Sequence, residues 1–417
     1  MNVLMLECVS GMKVLQLCYK PPYPPVDGGT MAMNSVTQGL LDCGHAVRVL
    51  SVCSDKHPIP PLRDAKDYHE QYAKQTRFEA LYIDLSIHPI DAGVALLCGE
   101  SYNVKRFYSK AFDARLTEIL KEEDFDIVHV ESIFLAPYLD TIRHNSKARV
   151  VLRAHNVEHR IWQQMAKGER RGLKRWYLKH LALALRQYEL EQMNNFDGIV
   201  CISEDDKEAF RQLGCRKKII SIPFGIDIKH SSTQTFKHSN TQALFHIGSM
   251  DWMPNVEGVR WFLGEVWPLI HQEMPQLMFF VAGRKMPNNL CETQRATMNG
   301  VNVVGEVDDA REFIASKDIN IVPLLSGSGM RIKIIEAMSM GKPVVSTTVG
   351  ASGIEYTDGE DLLIADTPEE FVKQLRRLTE DPEFCNSIGQ NARKLVETKY
   401  SQEATAKRLV EFYETLL

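Results

Sequence analysis

The segment LSGSGMRIKIIEAM has the glycines and cations expected of a phosphate-binding site. It follows the apolar run DINIVPL, and its helical pattern should begin near Gly329 and end before Gly341. Glycine allows a phosphate to approach the backbone, and the first N–H groups of a helix carry the positive end of its dipole. The amides of Ser328 and Gly329 and the side chains of Arg331 and Lys333 are therefore expected to hold an anion.

Glu336 lies one to two turns further along the same helical pattern. On the face that it shares with Lys333, its carboxylate is placed to accept two hydrogen bonds from a ribose diol. The alternative is that Glu336 only pairs with Lys333 on a solvated helix, which an isolated helix would favour. Phosphate and ribose recognition together would indicate a nucleotide.

The first half of the chain holds two further candidate positions. Gly28 and Gly29 stand before a helical pattern that follows the first strand, and they predict a second phosphate-facing turn. A plain turn from loop to helix is the alternative. His155 follows the strand RVVLRA, and ligands of open α/β sheets bind at the carboxyl ends of strands.

Two patterns contain residue types that can bind a metal ion. His155, Glu158 and His159 fit the His-x-x-Glu-His pattern of some zinc peptidases, so a zinc hydrolase is kept as an alternative function. That function needs both histidines on one helix and a third ligand, whereas His155 ends a strand. Asp124 and Asp126 form an Asp-x-Asp that we interpret as the turn into the strand IVHVE. No obligatory metal or other cofactor is expected.

The elements that must position these residues are short Val- and Ile-rich runs that alternate with amphipathic stretches. This alternation is typical of parallel strands joined by crossover helices, and it predicts a doubly wound α/β fold. The strands predicted in the first half, all as core strands, are Lys13–Cys18, Ala46–Val52, Ala80–Leu85, Asp126–Val130, Arg149–Arg153, Gly198–Ile202 and Ile219–Ile222. A polar connector from Asp227 to Thr241 follows.

The alternation begins again after the connector. The strands predicted there are Ala243–Ile247, Met278–Ala282, Asn302–Val304, Ile319–Pro323, Pro343–Ser346 and Leu362–Ile364. The sequence thus predicts one domain over 12–225, a second over 242–400 and an amphipathic terminal helix over 401–417. Residues 1–11 lack the pattern of a secretory signal and are interpreted as an extension before the first strand.

Composition excludes several classes of protein. Lys and Arg total 49 against 54 Asp and Glu, a net charge of −5, which argues against nucleic acid as a partner. The nine cysteines are dispersed, as in a cytoplasmic protein with reduced thiols, and no apolar run reaches the roughly 18 residues of a membrane span. A nicotinamide enzyme would need Gly-x-Gly-x-x-Gly after a strand, but Gly327-Ser-Gly329 is followed by Ile332 at the third position.

The stretch from Lys167 to Lys179 is basic and contains Trp176 and Tyr177. Such a segment suits the anionic inner face of a membrane, where lipid-linked acceptors reside, and a solvated helix face is the alternative. Peripheral membrane contact is therefore one of two interpretations of this segment.

Several motifs occur in the order found in one family of enzymes. They are Cys201–Asp206 (CISEDD), Pro223–Asp227 (PFGID), Val281–Arg284 (VAGR), Val303–Asp309 (VVGEVDD), Glu336-Ala-Met, Gly341-Lys-Pro-Val-Val and Gly350-Ala-Ser-Gly353. With these motifs, the chain from about Met12 to its end resembles the retaining GT-B glycosyltransferases of family 4, also called glycosyl transferases group 1. The resemblance implies two Rossmann-like domains with an interdomain cleft for a nucleoside diphosphate sugar.

The resemblance also implies roles for particular residues. Glu336 would bind the ribose, the backbone around Val307 would receive the nucleobase, and Arg284 would belong to the donor site. The loop of Gly28 and Gly29 would adjoin the diphosphate and the sugar.

His155 would lie against the sugar. In two places the sequence departs from the commonest family pattern. Ser328 stands where many members have a second glutamate, and the loop from Gly248 to Asn255 lacks an Arg and a Lys that many members bring to the diphosphate. The role of neutralising the diphosphate therefore shifts to Arg331 and Lys333.

The resulting prediction is a retaining glycosyltransferase that moves a hexosyl group from a nucleoside diphosphate sugar to a hydroxyl of a glycan or lipid-linked acceptor. We expect it to act in the cytoplasm, at the inner face of the membrane if the acceptor is lipid-linked, in cell-surface polysaccharide synthesis. A sugar-nucleotide epimerase of the same fold is the principal alternative.

Overall fold

The computed structural model describes residues 11–25, 27–55, 70–228, 242–287, 290, 299–327 and 330–417. The chain divides into two compact units. The first unit comprises Met1–Gly225 together with Thr405–Leu417, and the second unit comprises Ile226–Ala404. The last helix is therefore part of the unit that begins the chain.

The first unit is built on a parallel sheet. Within the described residues its strands are β1 Lys13–Cys18, β2 Ala46–Cys53, β3 Glu79–Tyr82, β4 Ile127–Val130, β5 Arg149–Ala154, β6 Gly198–Cys201 and β7 Lys218–Ser221. Their order in the sheet is β3-β2-β1-β4-β5-β6-β7. The order reverses between β1 and β4, and ligands of such sheets bind outside the carboxyl ends of the strands at this switch point.

Helices cover the first sheet. Those described are α1 Gly28–Asp42, α2 Glu70–Thr76, α3 Pro89–Cys98, α4 Tyr102–Lys105, α5 Lys110–Glu122, α6 Leu139–Asn145, α7 Glu158–Gly168, α8 Gly172–Gln192 and α9 Glu204–Gln212, with 3-10 turns at Ile133–Tyr138 and Met193–Asn195. The terminal helix α16, Gln402–Glu414, packs Leu409, Phe412 and Tyr413 into the core that Val14 and Val200 of the sheet form.

The second unit repeats the architecture. The strands in its described part are β8 Ala243–Ile247, β9 Met278–Ala282, β10 Val301–Gly305, β11 Ile319–Val322, β12 Val344–Ser346 and β13 Leu363–Ile364, in the order β10-β9-β8-β11-β12-β13. Its helices are α10 Met253–Trp261, α11 Trp267–Glu273, α12 Ala310–Ala315, α13 Ile332–Ser339, α14 Pro368–Glu380 and α15 Pro382–Leu395, with π-helical segments at Phe262–Val266 and Val396–Tyr400. The switch point lies between β8 and β11.

All thirteen predicted strands are present, with ends that differ by at most a few residues. The prediction that every strand of the first sheet is a core strand is wrong for β3 and β7, because both lie at sheet edges and stay partly exposed. The predicted start of the helix near Gly329 is also wrong. Helix α13 begins at Ile332, since Arg331 has the extended backbone of an N-cap residue.

The helix ends as predicted before Gly341, whose φ of 71° terminates it. The predicted strand starting at Ala80 is shorter than expected and ends at Tyr82. Most of the predicted connector, residues 229–241, lies outside the described residues.

Candidate functional site

The glycine turn of the first unit adjoins the carboxyl end of β1. Gly28 and Gly29 are the first two residues of α1, and Asp27 caps the helix through the Thr30 N–H. A Cβ on Gly29 would lie 2.9 Å from Tyr19 Oη and 3.0 Å from Lys20 Nζ, so only glycine fits this position without displacing them. The predicted anion site thus gains a cation, Lys20, although its Nζ is bound at 2.7 Å to Asp27 in the structure.

His155 follows β5 and lies beside the switch point of the first sheet. Its Nε2 is 2.9 Å from Glu131 Oε2, and its ring meets the Tyr19 ring edge-on at 5.9 Å. Glu131 follows β4 directly and is completely buried. The structure therefore brings together, at the carboxyl ends of β1, β4 and β5, the predicted His155 and an acidic partner that the sequence analysis did not single out.

Glu131 is a carboxylate buried inside the protein, and its neighbours favour its ionised form. Burial would raise its pKa, but the electrostatic contribution of His129 and the hydrogen bond with His155 outweigh burial and hold the pKa well below its usual range. Gln16 Nε2 donates to Glu131 Oε1 at 2.6 Å. The remaining contact, from His129 Nε2 at 3.2 Å, is electrostatic rather than a well-aligned hydrogen bond.

The second histidine of the His-x-x-Glu-His pattern has a different partner. His159 Nδ1 lies 2.6 Å from Glu189 Oε2, and the backbone N–H groups of Glu158 and His159 also donate to the Glu189 carboxylate. Burial, followed by the charge of Glu189, raises the pKa of Glu158 to about 8. His155 lies before α7 and His159 lies within it, so the two histidines do not form the single-helix pair that a zinc hydrolase requires.

Asp126 confirms the interpretation of the Asp-x-Asp as an entry turn. Its carboxylate accepts the backbone N–H of Lys13 at 2.8 Å, where β4 runs beside β1. Within the ranges that the structure describes, no group of three or more His, Cys, Asp or Glu side chains has the arrangement of a metal site.

In the second unit, the VAGR turn packs closely on the loop after β8. Gly283 has a φ of 154°, and a Cβ there would lie 1.7 Å from the Gly248 carbonyl oxygen. The carbonyl of Arg284 accepts the Met250 N–H at 2.9 Å, and the Arg284 side chain is exposed. Val307, after β10, is half-buried against the core of this unit.

Arg331 lies at the switch point of the second sheet. Its guanidinium stacks 4.8 Å from the ring centre of Trp252, which belongs to the loop after β8. Gly327, after β11, has a φ of 104°, and a Cβ there would lie 2.8 Å from Trp252 and 3.1 Å from Arg331 Nη2. Burial lowers the pKa of the guanidinium from its ordinary value. The guanidinium nonetheless stays charged at neutral pH, because arginine is not deprotonated in proteins.

The other predicted residues of this segment have mixed outcomes. Ser328 and Gly329 lie outside the described residues. Lys333 Nζ lies 2.8 Å from Glu336 Oε2, so the ion pair that was the alternative to ribose binding is present. Glu336 is nonetheless buried, with 8% of its surface exposed, whereas Lys333 is on the solvent side. Glu336 is thus not the solvated helix residue that this alternative assumed.

Tyr19, Lys20, Glu131 and Trp252 are the residues at these two switch points that the sequence analysis missed. Tyr19 and Glu131 directly follow the ends of β1 and β4, and Lys20 is one residue further, so the rule that selected His155 would also have selected them. Nothing in the sequence pairs Trp252 with Arg331, because their contact depends on strand order. Among the described residues, no helix combines the length and apolarity needed to cross a bilayer.

Residues 26–230 match the Glycosyltransferase Family 4 model, and residues 241–381 match the Glycosyl transferases group 1 model. A similar sequence is an uncharacterized 44.6 kDa protein in the cps region of Klebsiella pneumoniae, 27% identical over 300 residues that cover 70% of this chain and 74% of that protein.

Two solved structures have a similar fold over nearly their whole length. HepE of Anabaena in complex with UDP is 15% identical, with a TM-score of 0.63 over 97% of this chain and 100% of that one. Sucrose-phosphate synthase of Thermosynechococcus elongatus is 16% identical, with a TM-score of 0.64 over 97% of this chain and 99% of that one. The family matches and the GT-B fold show that the chain belongs to the group 1 glycosyltransferases.

Proposed function

We propose that this glycosyltransferase transfers a hexosyl group from a UDP-sugar to a hydroxyl acceptor with retention of anomeric configuration. His155 acts on the sugar, and Arg331 and Lys333 act on the diphosphate. In this reaction the acceptor oxygen bonds to the anomeric carbon on the face from which the diphosphate leaves, and the hydroxyl proton passes to the departing diphosphate oxygen. Glu336 binds the ribose.

The observation that carries this proposal is the arrangement of Trp252, Gly327 and Arg331 at a switch point. A planar cation stacked on an aromatic ring has limited freedom, so a phosphate that binds it meets a preorganised partner. The absence of a side chain on Gly327 lets Trp252 and Arg331 pack close to its backbone. The complexes of HepE with UDP and with UDP-glucose support uracil as the base and a hexose as the sugar.

Arg284 and the amides of Ser328, Gly329 and the Gly28–Gly29 turn complete the proposed donor contacts, with the backbone around Val307 at the nucleobase. The charge that develops on the leaving diphosphate is met by these groups without an obligatory metal cofactor. Transfer should therefore continue in EDTA at the rate measured before its addition. A rate that falls in EDTA and returns with Mg²⁺ or Mn²⁺ would overturn this part of the proposal.

A ligand panel followed by an acceptor assay tests the function. UDP and UDP-hexoses, compared with GDP, dTDP and ADP and their sugars, should raise the melting temperature, because a ligand at 100 times its Kd stabilises a fold by about 2.7 kcal/mol. UDP release should then depend on an added hydroxyl acceptor. Conversion of the UDP-sugar without any acceptor would identify a sugar-nucleotide epimerase instead.

We further propose that the acceptor is a glycan or lipid-linked intermediate in cell-surface polysaccharide synthesis and that the protein acts in the cytoplasm at the inner face of the membrane. The cps-region relative supports this biological role. Leu173, Trp176 and Leu183 of α8 are 83%, 55% and 62% exposed, and their spacing places them on one face of the helix. Arg175 and Lys179 lie next to this face.

Cosedimentation with vesicles tests the membrane contact. The protein should bind vesicles of phosphatidylglycerol and phosphatidylethanolamine, bind neutral phosphatidylcholine vesicles less, and lose binding in high salt. Trp176→Ser should weaken binding, whereas Val304→Ser, which removes another exposed apolar side chain from the second unit, should not. Equal binding by both variants would refute the assignment of this surface.

A further inference from the structure

A continuous set of buried polar contacts runs from the C-terminal helix to His155. Tyr413 Oη lies 2.6 Å from His129 Nδ1, and His129 Nε2 lies 3.2 Å from Glu131 Oε1. The second carboxylate oxygen, Oε2, is 2.9 Å from His155 Nε2. Tyr413, His129 and Glu131 are all fully buried. The last turns of the chain are therefore three contacts away from the histidine proposed to act on the sugar.

The amide of Gln16 determines which hydrogen bonds each oxygen of Glu131 can accept. Thr37 Oγ1 lies 2.6 Å from Gln16 Oε1, and Gln16 Nε2 donates to the Met33 carbonyl and to Glu131. With the amide nitrogen directed at Glu131, one carboxylate oxygen is used by Gln16 and the other is left for His155. An ionised carboxylate only accepts hydrogen bonds, so His155 must carry its proton on Nε2.

This arrangement leaves Nδ1 of His155 available. Among the described residues, no hydrogen bond to His155 Nδ1 is present, and the side chain is 12% exposed. A histidine whose one nitrogen is held by a carboxylate presents the other in a fixed direction, as in carboxylate–histidine pairs behind metal sites. Nδ1 is thus the nitrogen left to face a substrate.

We propose that Glu131 is the positioning residue for His155 and that the terminal helix α16 completes this arrangement through Tyr413 and His129. This inference rests on the proposed action of His155 on the sugar. Glu131 itself does not contact the substrate. It holds the imidazole ring in one orientation and one protonation pattern, while Tyr413 keeps His129 against the carboxylate.

The substitution Glu131→Gln gives a sharp test because the new amide has only one accepting oxygen. Gln16 presents a donor at 2.6 Å, so the new oxygen must face Gln16 and the new NH2 group must face His155. His155 Nε2 then accepts instead of donating, and the ring proton moves to Nδ1. Nitrogen-15 NMR of the imidazole should show the Nε2–H tautomer in the wild-type protein and the Nδ1–H tautomer in the variant.

The same variant should lower kcat roughly 10- to 100-fold, the loss typical when the carboxylate behind a positioned histidine is removed. KM for the UDP-sugar and Kd for UDP should change less than about twofold, because neither Glu131 nor His155 is assigned to the nucleotide. In a His155→Ala background, Glu131→Gln should cost no further activity. An equal loss in both backgrounds, or an unchanged tautomer, would overturn the proposal.

Tyr413→Phe tests the part played by α16 and keeps the aromatic ring in the core. It should lower kcat about 3- to 10-fold, with KM unchanged, because His129 loses a hydrogen bond and the contact with Glu131 loosens. The control is Tyr138→Phe, which removes a buried hydroxyl of the same unit that donates to the Phe107 carbonyl at 2.8 Å. Tyr138→Phe should lower the melting temperature and leave kcat unchanged.

The outcomes separate this inference from the proposed function. If the wild-type protein transfers no sugar, the proposed function fails, and the imidazole tautomer still decides whether Glu131 positions His155. If transfer occurs and Tyr413→Phe behaves like Tyr138→Phe, α16 has no part in the arrangement.

Discussion

Replacing Arg331 by Ala should separate diphosphate binding from nucleoside binding. The guanidinium is held 4.8 Å from the Trp252 ring centre, so its orientation is set before a ligand arrives. A hydrogen bond to a charged group contributes about 1.5–3 kcal/mol. Loss of one such bond should weaken UDP binding about 10- to 150-fold, since each 1.4 kcal/mol is a factor of ten. Uridine should bind both proteins equally.

The stacking contact adds a second, separable effect. A cation–π pair at a partly exposed site is worth about 0.5–1 kcal/mol, and Arg331→Ala should lower the stability of the second unit by a similar amount. Arg331→Lys keeps the charge but loses the planar fork, so its UDP affinity should lie between those of the wild type and the Ala variant. Arg393→Ala, which removes a cation of α15 that pairs with Glu397, is the matched control and should bind UDP normally.

Isothermal calorimetry with UDP and with uridine shows whether Arg331 contacts the diphosphate. The reasoning is refuted if Arg331→Ala weakens both ligands by the same factor, because Arg331 would then support the base or the fold. In that case the exposed Arg284 becomes the first candidate for the diphosphate. A loss confined to UDP, with Arg393→Ala unchanged, supports the assigned role.

Three further results are expected. Gly283→Ala should destabilise the second unit by at least about 2 kcal/mol in urea unfolding, because the new Cβ would lie 1.7 Å from the Gly248 carbonyl oxygen at a φ of 154°. Gly264→Ala is the control, because the space around its new Cβ is open. His155→Ala should lower the transfer rate far more than UDP affinity, and equal losses by kinetics and calorimetry would remove its role at the sugar. Burial and then the charge of Glu189 raise the pKa of Glu158 to about 8, above its value of about 4.3 in an unfolded chain. Between about pH 4.3 and pH 8 the Glu158 carboxyl is therefore protonated in the folded state and ionised in the unfolded state. The folded state loses this proton as the pH rises through about 8. The free energy of unfolding should therefore fall from about pH 5 to pH 8, and Glu158→Gln should make that fall shallower in thermal melts; the same slope in both proteins would contradict the assignment.

The sequence contained most of the information for the fold. Buried parallel strands such as Arg149–Ala154 and Ile319–Val322 are short runs of apolar residues between polar turns, so each was found within a residue or two. Strand order was not accessible in the same way. It is the order that makes β4 and β5 neighbours and thereby brings Glu131 to His155.

Side-chain partnership was the part that the sequence did not reveal. The contact between Tyr413 and His129 joins residues 284 positions apart, and no local pattern indicates it. The start of α13 was misplaced because the helical pattern does not mark its own first residue, whereas the extended backbone at Arg331 delays the helix to Ile332. Helix ends depend on a single residue's dihedral angles, which sequence periodicity constrains only weakly.

The position of the terminal helix has a consequence for the making of the protein on the ribosome. Leu409, Phe412 and Tyr413 complete the core around Val14 and Val200, yet they are synthesised after all of Ile226–Ala404. At about 5–20 residues per second, the first half of the nascent chain waits on the order of 10–40 s for the segment that covers it. During that interval the second half can fold first, while the apolar face awaiting α16 stays uncovered.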